Sequence, residues 1–208
     1  MSIRHALPAD VDTLADIEAA SYPSAEGASR QSIAGRVAVY PDCFWLLDEG
    51  GEVKAFVNGF VTDMPDLTDE MYDDPHLHTP KGAWQMIFSV VTAPAHRHEG
   101  CASRVLRQVC ADAKAAGRKG IVLTCKERLV DFYARLGFVD EGLSESTHGN
   151  VVWHQMRLAL THAVGTGNPT ANGSAKTAER TNDADTTAMS GVDHDAETLE
   201  FPQVEPTA

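Results

Sequence analysis

The 208-residue chain has no apolar run long enough to cross a bilayer as a helix, and its opening MSIRHALPAD lacks the apolar core of a signal peptide. No membrane association is therefore expected, and the chain reads as cytoplasmic. Cysteine is scarce and shows no pairing pattern. Cys43, Cys101, Cys110 and Cys125 have no CxxC or CxxH spacing, which speaks against a zinc site or a disulfide framework and leaves reduced thiols with no metal. Positive charge is the third shortage: 17 Lys and Arg against 30 Asp and Glu give a formal net charge of −13. Nucleic-acid binding needs a basic face, so no nucleic-acid partner is expected, whereas a small cation would be drawn towards this chain. Aromatic residues run out after Leu160. Residues 161–208 hold one aromatic, Phe201, with 2 basic and 8 acidic residues. Such a segment cannot bury enough apolar surface to offset its ordering entropy, so a disordered acidic low-complexity tail is expected over 161–208.

Residues 1–160 are different in kind. SIRHA reads as a strand, and Pro8 opens a first helix over DVDTLADIEAA. YPSAEGAS is an irregular connection, and a second helix is expected from Ser29 to Val39, stopped before Pro41. FWLLDE and EVKAFVNGFVTD flank Gly50-Gly51 as a hairpin. The polar loop DMPDLTDEMYDDPHLHTPK leads into the β-branched and aromatic run WQMIFSVVT. CASRVLRQVCADAKAA then repeats apolar residues at helical spacing. GIVLTC is a short apolar strand, KERLVDFYARLG a helix, and FVDEGLSES and NVVWHQMRLAL two closing strands. The sum is a single α/β domain over 1–160, with a mixed sheet of about seven strands and about four helices.

Between the run WQMIFSVVT and the helix after it lies AHRHEGCAS, residues 95–103. The first amides of a helix have no intrahelical acceptor and point outward together at the positive end of the dipole, which makes a seat for an anion. Gly100 permits close approach, Ala102 and Ser103 keep the first turn small, and Arg97 can pair with a phosphate. Taken alone, this pattern fits a tight turn with a solvated Arg equally well.

Two stretches together carry more. Thr92–Ala102 (TAPAHRHEGCA) and, one strand later, Leu129–Phe138 (LVDFYARLGF) resemble the GNAT superfamily of acetyl-CoA-dependent N-acetyltransferases. In that family a strand, an R/Q-x-x-G-x-G/A turn and a helix cradle the CoA pyrophosphate, and L-x-x-F-Y-x-R-x-G-F carries a tyrosine. YPSAEGAS, LHTPKG, LTCKERLVDFYARLGF and SESTHGNVVW further resemble the arylalkylamine (serotonin-type) branch and its microbial relatives. The resemblance covers roughly residues 2 to 160. It implies a GNAT fold, a mixed and mostly antiparallel sheet splayed between its fourth and fifth strands, with acetyl-CoA as co-substrate.

Residue roles follow from the same resemblance. The backbone of Val90, Val91 and Thr92 would pair with the pantetheine arm, and an N–H there would polarise the thioester. Arg97, His98, Glu99, Gly100, Cys101, Ala102 and Ser103 would line the pyrophosphate. Tyr133 would be the general acid for the departing thiolate, although periodicity alone also fits a core stripe of Leu129, Phe132, Tyr133 and Leu136. The branch's two strand histidines fall at Met86 and Phe88, which cannot accept a proton. The base is then Glu26 by first choice, His78 or His148 otherwise, or a water chain with no dedicated base. Met86, Phe88, His78 and His148 are expected to border the acceptor, with the acidic loop Asp63–Asp74 at its mouth. The expected activity is acetyl transfer to a primary amine, small and hydrophobic or aromatic, by a monomer or weak dimer. Polyamine, aminoglycoside-like or peptide amines, or a non-catalytic acetyl-CoA sensor, are the alternatives.

Overall fold

β-branched and aromatic residues, alternating or in short continuous runs, form β1 (Ser2–His5), β2 (Phe44–Glu49), β3 (Glu52–Thr62), β4 (Trp84–Thr92) and β5 (Gly120–Cys125). With β6 (Val139–Leu143) and β7 (His154–Ala159) they build one sheet of order β1-β2-β3-β4-β5-β7-β6. Every neighbouring pair is antiparallel except β4 and β5, which run parallel. This computed structural model describes residues 1–160, so the tail expected over 161–208 lies outside the described residues.

Five α-helices surround the sheet: α1 (Val11–Ala19), α2 (Arg30–Val39), α3 (Glu70–Asp73), α4 (Cys101–Ala115) and α5 (Val130–Ala134). Four were expected. The additional one, α3, is a single turn inside the acidic loop, anchored by a fully buried Met71 that the surrounding charges conceal in the sequence. The helix expected from Lys126 to Gly137 is also divided, with a 3-10 turn at Glu127–Leu129 ahead of α5. α2 begins where Ser29 accepts a hydrogen bond from the Ser32 amide at 3.0 Å, as its cap residue type predicts. α4 buries Val105, Leu106, Val109 and Ala113 and lies against β2, β3, β4 and β5. α1 packs on α2 and reaches β4. Phe44, Phe56 and Phe60 are fully enclosed, each contributing about 1.5–3 kcal/mol by leaving water.

One local irregularity shapes everything functional. β4 pairs with β5 only from Trp84 opposite Gly120 to Ile87 opposite Leu123, and beyond Ile87 the two strands part. On its other side β4 slips register with β3 between Asn58 and Gly59, so that Phe88 has no partner. An extra residue of this kind bends its strand and increases the twist. A side chain at Gly59 would run into the Met86 carbonyl, so the bulge depends on a glycine opposite it. Both residues at the bulge turn to the α1–α2 side: Ser89 bonds Glu18 of α1 and Phe88 lies under Arg36 of α2.

Candidate active site

The gap between β4 and β5 is walled by backbone on one side. The Tyr22 hydroxyl donates to the Val90 carbonyl at 3.0 Å, and Ser21 Oγ lies 3.5 Å from the Thr92 carbonyl. Successive peptides in a strand face opposite ways, so Val90 and Thr92 present their peptide groups to the gap and Val91 presents its own to β3. The Ala93 amide, bonded to the Lys54 carbonyl of β3 at 2.8 Å, fits that alternation. Burial and the nearby Glu18 keep the Tyr22 phenol protonated, so it stays a donor.

The strand then enters the turn before α4. His98 and Gly100 both take left-handed backbone, with φ of 68° and 73°, and α4 starts at Cys101 with no side chain capping it. Alternate left-handed residues curl consecutive amides inward into a concave anion seat, which the helix N-terminus reinforces. Holding a non-glycine such as His98 there costs about 1 kcal/mol or more, so the turn is over-determined by its surroundings. His96 supplies part of that. It meets Glu52 at 2.9 Å and Glu99 at 3.3 Å, and the Glu52 bond raises its pKa. Arg97 reaches the Ala20 carbonyl at 3.4 Å and ties the turn to the end of α1. Donor amides and a guanidinium beside a strand edge that β5 does not pair suit a diphosphate joined to an amide-bearing arm, so the residues present fit CoA.

Tyr133 stands on the opposite wall, in α5. It is 5% exposed, edge-on to Phe132 at 5.0 Å and to Phe138 at 5.8 Å. Burial, helped by Tyr22 and Cys125, keeps its phenol well above the ordinary value. A group that must deliver a proton to a thiolate has to hold that proton at neutral pH, and this one does.

The other end of the gap is closed by side chains from four segments, the α1–α2, β3–β4 and β6–β7 connections and the end of β5. Glu26, in the loop between α1 and α2, lies 2.8 Å from Lys126 through either carboxylate oxygen. The Glu26 carbonyl meets Nε2 of His148 at 3.0 Å. A side chain at Gly149, where φ is +64°, would fall 2.7 Å from Cγ of Glu26, so the two loops approach as closely as a glycine allows. His148 stacks on Tyr72 at 4.6 Å, and Tyr72 meets Phe88 at 5.0 Å. Asp69 fastens the remaining corner by accepting from the Ser146 hydroxyl and from the Thr147 amide and hydroxyl. Partial burial would raise the Asp69 carboxyl, but these bonds outweigh it and hold it below the ordinary value.

Behind the bulge lies a buried polar net. Glu18, 1% exposed, accepts from the Ser89 hydroxyl at 2.8 Å and from the Ala28 amide at 3.1 Å. Arg36, 4% exposed, bonds Asn58 at 3.3 Å and the Tyr72 carbonyl at 2.8 Å, with its guanidinium 4.9 Å from the centre of the Phe88 ring. Burial pushes the Glu18 carboxyl above the usual carboxylate range, against the pull of Arg36. Leaving a buried polar group without its partner is costly, so the Ser89 and Ala28 bonds to Glu18 fix both the bulge and the loop carrying Glu26.

The structure thus gathers Tyr133, Glu26, His148 and Phe88 around the gap, with Val90 and Thr92 along one edge. Met86 is fully buried in the core. His78 lies under the aromatic wall, its Nδ1 accepting from the Val61 amide at 3.1 Å and its ring 5.0 Å from Tyr40. Sequence reading passed over Tyr22, Glu18, Arg36 and Lys126, and took Asp69 and Tyr72 only as members of the acidic mouth loop Asp63–Asp74. For Glu18 and Arg36 the one available signal was a charge on the buried stripe of an amphipathic helix. A polar groove between β1 and α4, lined by Arg4, His5, Trp45 and Arg104, shares no residue with this site.

A parallel strand pair split by a bulge, with an uncapped helix N-terminus at the mouth of the split, defines a CoA-dependent acyltransferase architecture. Residues 11–138 match the acetyltransferase (GNAT) family, and the chain belongs to it. No curated protein matches the chain. Among solved structures, the GphF GNAT-like decarboxylase in complex with isobutyryl-CoA is 22% identical with a TM-score of 0.67, covering 77% of this chain and 100% of that one. The ribosomal-protein-S18-alanine N-acetyltransferase from Escherichia coli is 15% identical with a TM-score of 0.60, covering 81% and 99%. The protein yncA from Salmonella typhimurium, solved with its cofactor acetyl-CoA, is 17% identical with a TM-score of 0.57, covering 80% and 98%. At these identities the likeness establishes the fold.

Proposed function

We propose that this protein is an acetyl-CoA-dependent N-acetyltransferase that transfers acetyl directly to a small primary amine with a hydrophobic or aromatic body, in the manner of the arylalkylamine branch. The observation that carries the reading is the closure of the gap by Glu26, His148 and Gly149. The loop before α2 and the loop before β7 touch across the acceptor side, an arrangement that suits a small acceptor better than an extended polypeptide. The rings of Tyr72, Phe88 and His148 line that closure, and flat apolar molecules suit such a wall. Glu26 supplies the carboxylate that attracts the ammonium and takes its proton, and Tyr133 protonates the departing thiolate. The Val90 and Thr92 peptides hold the arm of the donor, and the turn at 97–103 holds its diphosphate.

The test is release of free CoA thiol from acetyl-CoA with tryptamine, phenethylamine, spermidine, lysine and a short peptide. Preference for the first two, with kcat lowered roughly 10²–10⁴-fold in Tyr133→Phe at unchanged CoA affinity, is the expected result. Preference for the peptide would overturn the acceptor class. Undiminished turnover in the variant would remove Tyr133 from its role, and CoA binding without turnover on any amine would favour a sensor.

A further inference from the structure

We infer that Lys126 is itself an acceptor, seated where a substrate ammonium belongs and acetylated by bound acetyl-CoA when no amine is present; this rests on the function proposed above. Its Nζ lies 2.8 Å from both oxygens of Glu26 and 5.9 Å from the centre of the Trp153 ring. A carboxylate against the charge and a ring beside it are what a cationic amine would be offered here. The Glu26 side chain is only 7% exposed, so a substrate ammonium must displace this lysine to reach the carboxylate.

The backbone places Lys126 correctly for the chemistry. It directly follows Cys125, the last residue of β5, and Cys125 is close enough to Tyr133 to raise its phenol. Residues alternate across a strand, so as Cys125 turns to the Tyr133 side, Lys126 turns to the Glu26 side. The amine and the phenol therefore flank the gap from opposite faces of the same strand end. Lys54 gives an internal comparison. It is also paired to a carboxylate, Glu49, but on β3 opposite Ala93, beside the turn before α4 and not against Glu26.

In the step, Glu26 takes one proton from the Lys126 ammonium and frees its lone pair. The nitrogen attacks the thioester carbonyl carbon, the C–N bond forms and the C–S bond breaks. Tyr133 gives its proton to the thiolate, and the second nitrogen proton passes through water to restore the phenol. The products are Nζ-acetyl-lysine, free CoA and one proton, with no oxidant or other reactant required.

The full-length protein is incubated with acetyl-CoA and no amine, and acetylation at Lys54, Lys81, Lys114 and Lys126 is followed by peptide mass spectrometry. Lys126 should react at least about tenfold faster than the others, with one CoA released per chain, and the excess should vanish in Tyr133→Phe. Lys126→Arg should abolish the amine-free release, and tryptamine should slow modification of the native lysine. Acetylation of Lys126 no faster than of Lys54, or equally fast in urea-unfolded chain, would overturn the inference. Turnover of small amines by a protein whose Lys126 stays unmodified in the amine-free incubation would sink it while leaving the proposed function standing. Rapid Lys126 acetylation with no small-amine turnover would do the reverse.

Discussion

The donor side and the acceptor side of the gap are built from different materials. The donor side is mostly main chain: two strand peptides at Val90 and Thr92, a turn with left-handed His98 and Gly100, and the bare first turn of α4. On the function proposed here this side takes the diphosphate and arm of CoA, a seat that backbone amides supply whatever side chains surround them. The acceptor side is mostly side chains drawn from four separate segments, Glu26 on Lys126, His148 on Tyr72, and Ser146 and Thr147 on Asp69. Each of those contacts joins residues far apart in the chain. One side is local and conformational; the other is assembled and chemical.

The two sides share a single element, the bulge, so breaking it should harm both and have the largest effect. Gly59→Ala pushes a methyl group into the Met86 carbonyl, and backbone cannot move aside as a flexible side chain would. A loss of about 3–5 kcal/mol in stability is expected, read as a lowered urea midpoint, together with loss of CoA binding. A variant that kept both its midpoint and its affinity would show that the split does not depend on this close approach.

Two milder changes should separate the sides. Gly100→Ala adds a side chain where φ is +73° and nothing stands within 4 Å, so the cost is purely conformational, about 1–2 kcal/mol. KM for acetyl-CoA should rise roughly tenfold while KM for the amine holds. Asp69→Asn removes the charge and one of the two oxygens that accept from Ser146 and Thr147, and so loosens the opposite corner. Each charge-assisted bond is worth about 1.5 kcal/mol or more, partly offset by the amide that replaces it, so a few-fold rise in amine KM with unchanged acetyl-CoA KM is expected. If either variant moved both constants together, the division between main-chain and side-chain halves would be wrong.

That division also explains what the sequence disclosed. The bounds of β2, β4 and β5 could be read from runs of apolar and β-branched residues, because each run is buried along its own length. The turn at 97–103 was equally legible, since glycine before an amphipathic helix records a backbone conformation directly. The single turn α3 was not, because one buried Met71 among Asp and Glu gives no period. Lys126 was invisible for another reason. Its partner Glu26 is a hundred residues earlier in the chain, and no local pattern distinguishes an ion-paired lysine from a solvated one. Glu18 and Arg36 stand at buried helix positions where an apolar residue is the usual solution, a conflict between charge and pattern that marks a functional place in the fold.

The smallest expected effect is a pair of opposed pH dependences, one on each element of the contrast. On the aromatic wall, burial and then the charge of Arg118 lower the His78 pKa, and its neutral Nδ1 accepts the Val61 amide. A group with a depressed folded value stabilises above its ordinary value near 6.5 and loses that contribution as pH falls through the folded value. At the bulge, burial raises Glu18, so its contribution is complete below the ordinary carboxylate range and is lost as pH rises through the raised value. As pH falls from about 8 to about 4 the two contributions to the urea midpoint therefore run against each other, that of His78 being lost and that of Glu18 being gained. His78→Asn should remove the acid loss alone, because Glu18 still titrates. Glu18→Gln should remove the loss on raising pH alone, since an amide can still accept from Ser89 and Ala28 without ionising. An acid loss unchanged in His78→Asn would mean that the Val61 bond does not depend on a neutral imidazole, and that the wall beneath Phe60 and Phe88 is held by packing alone.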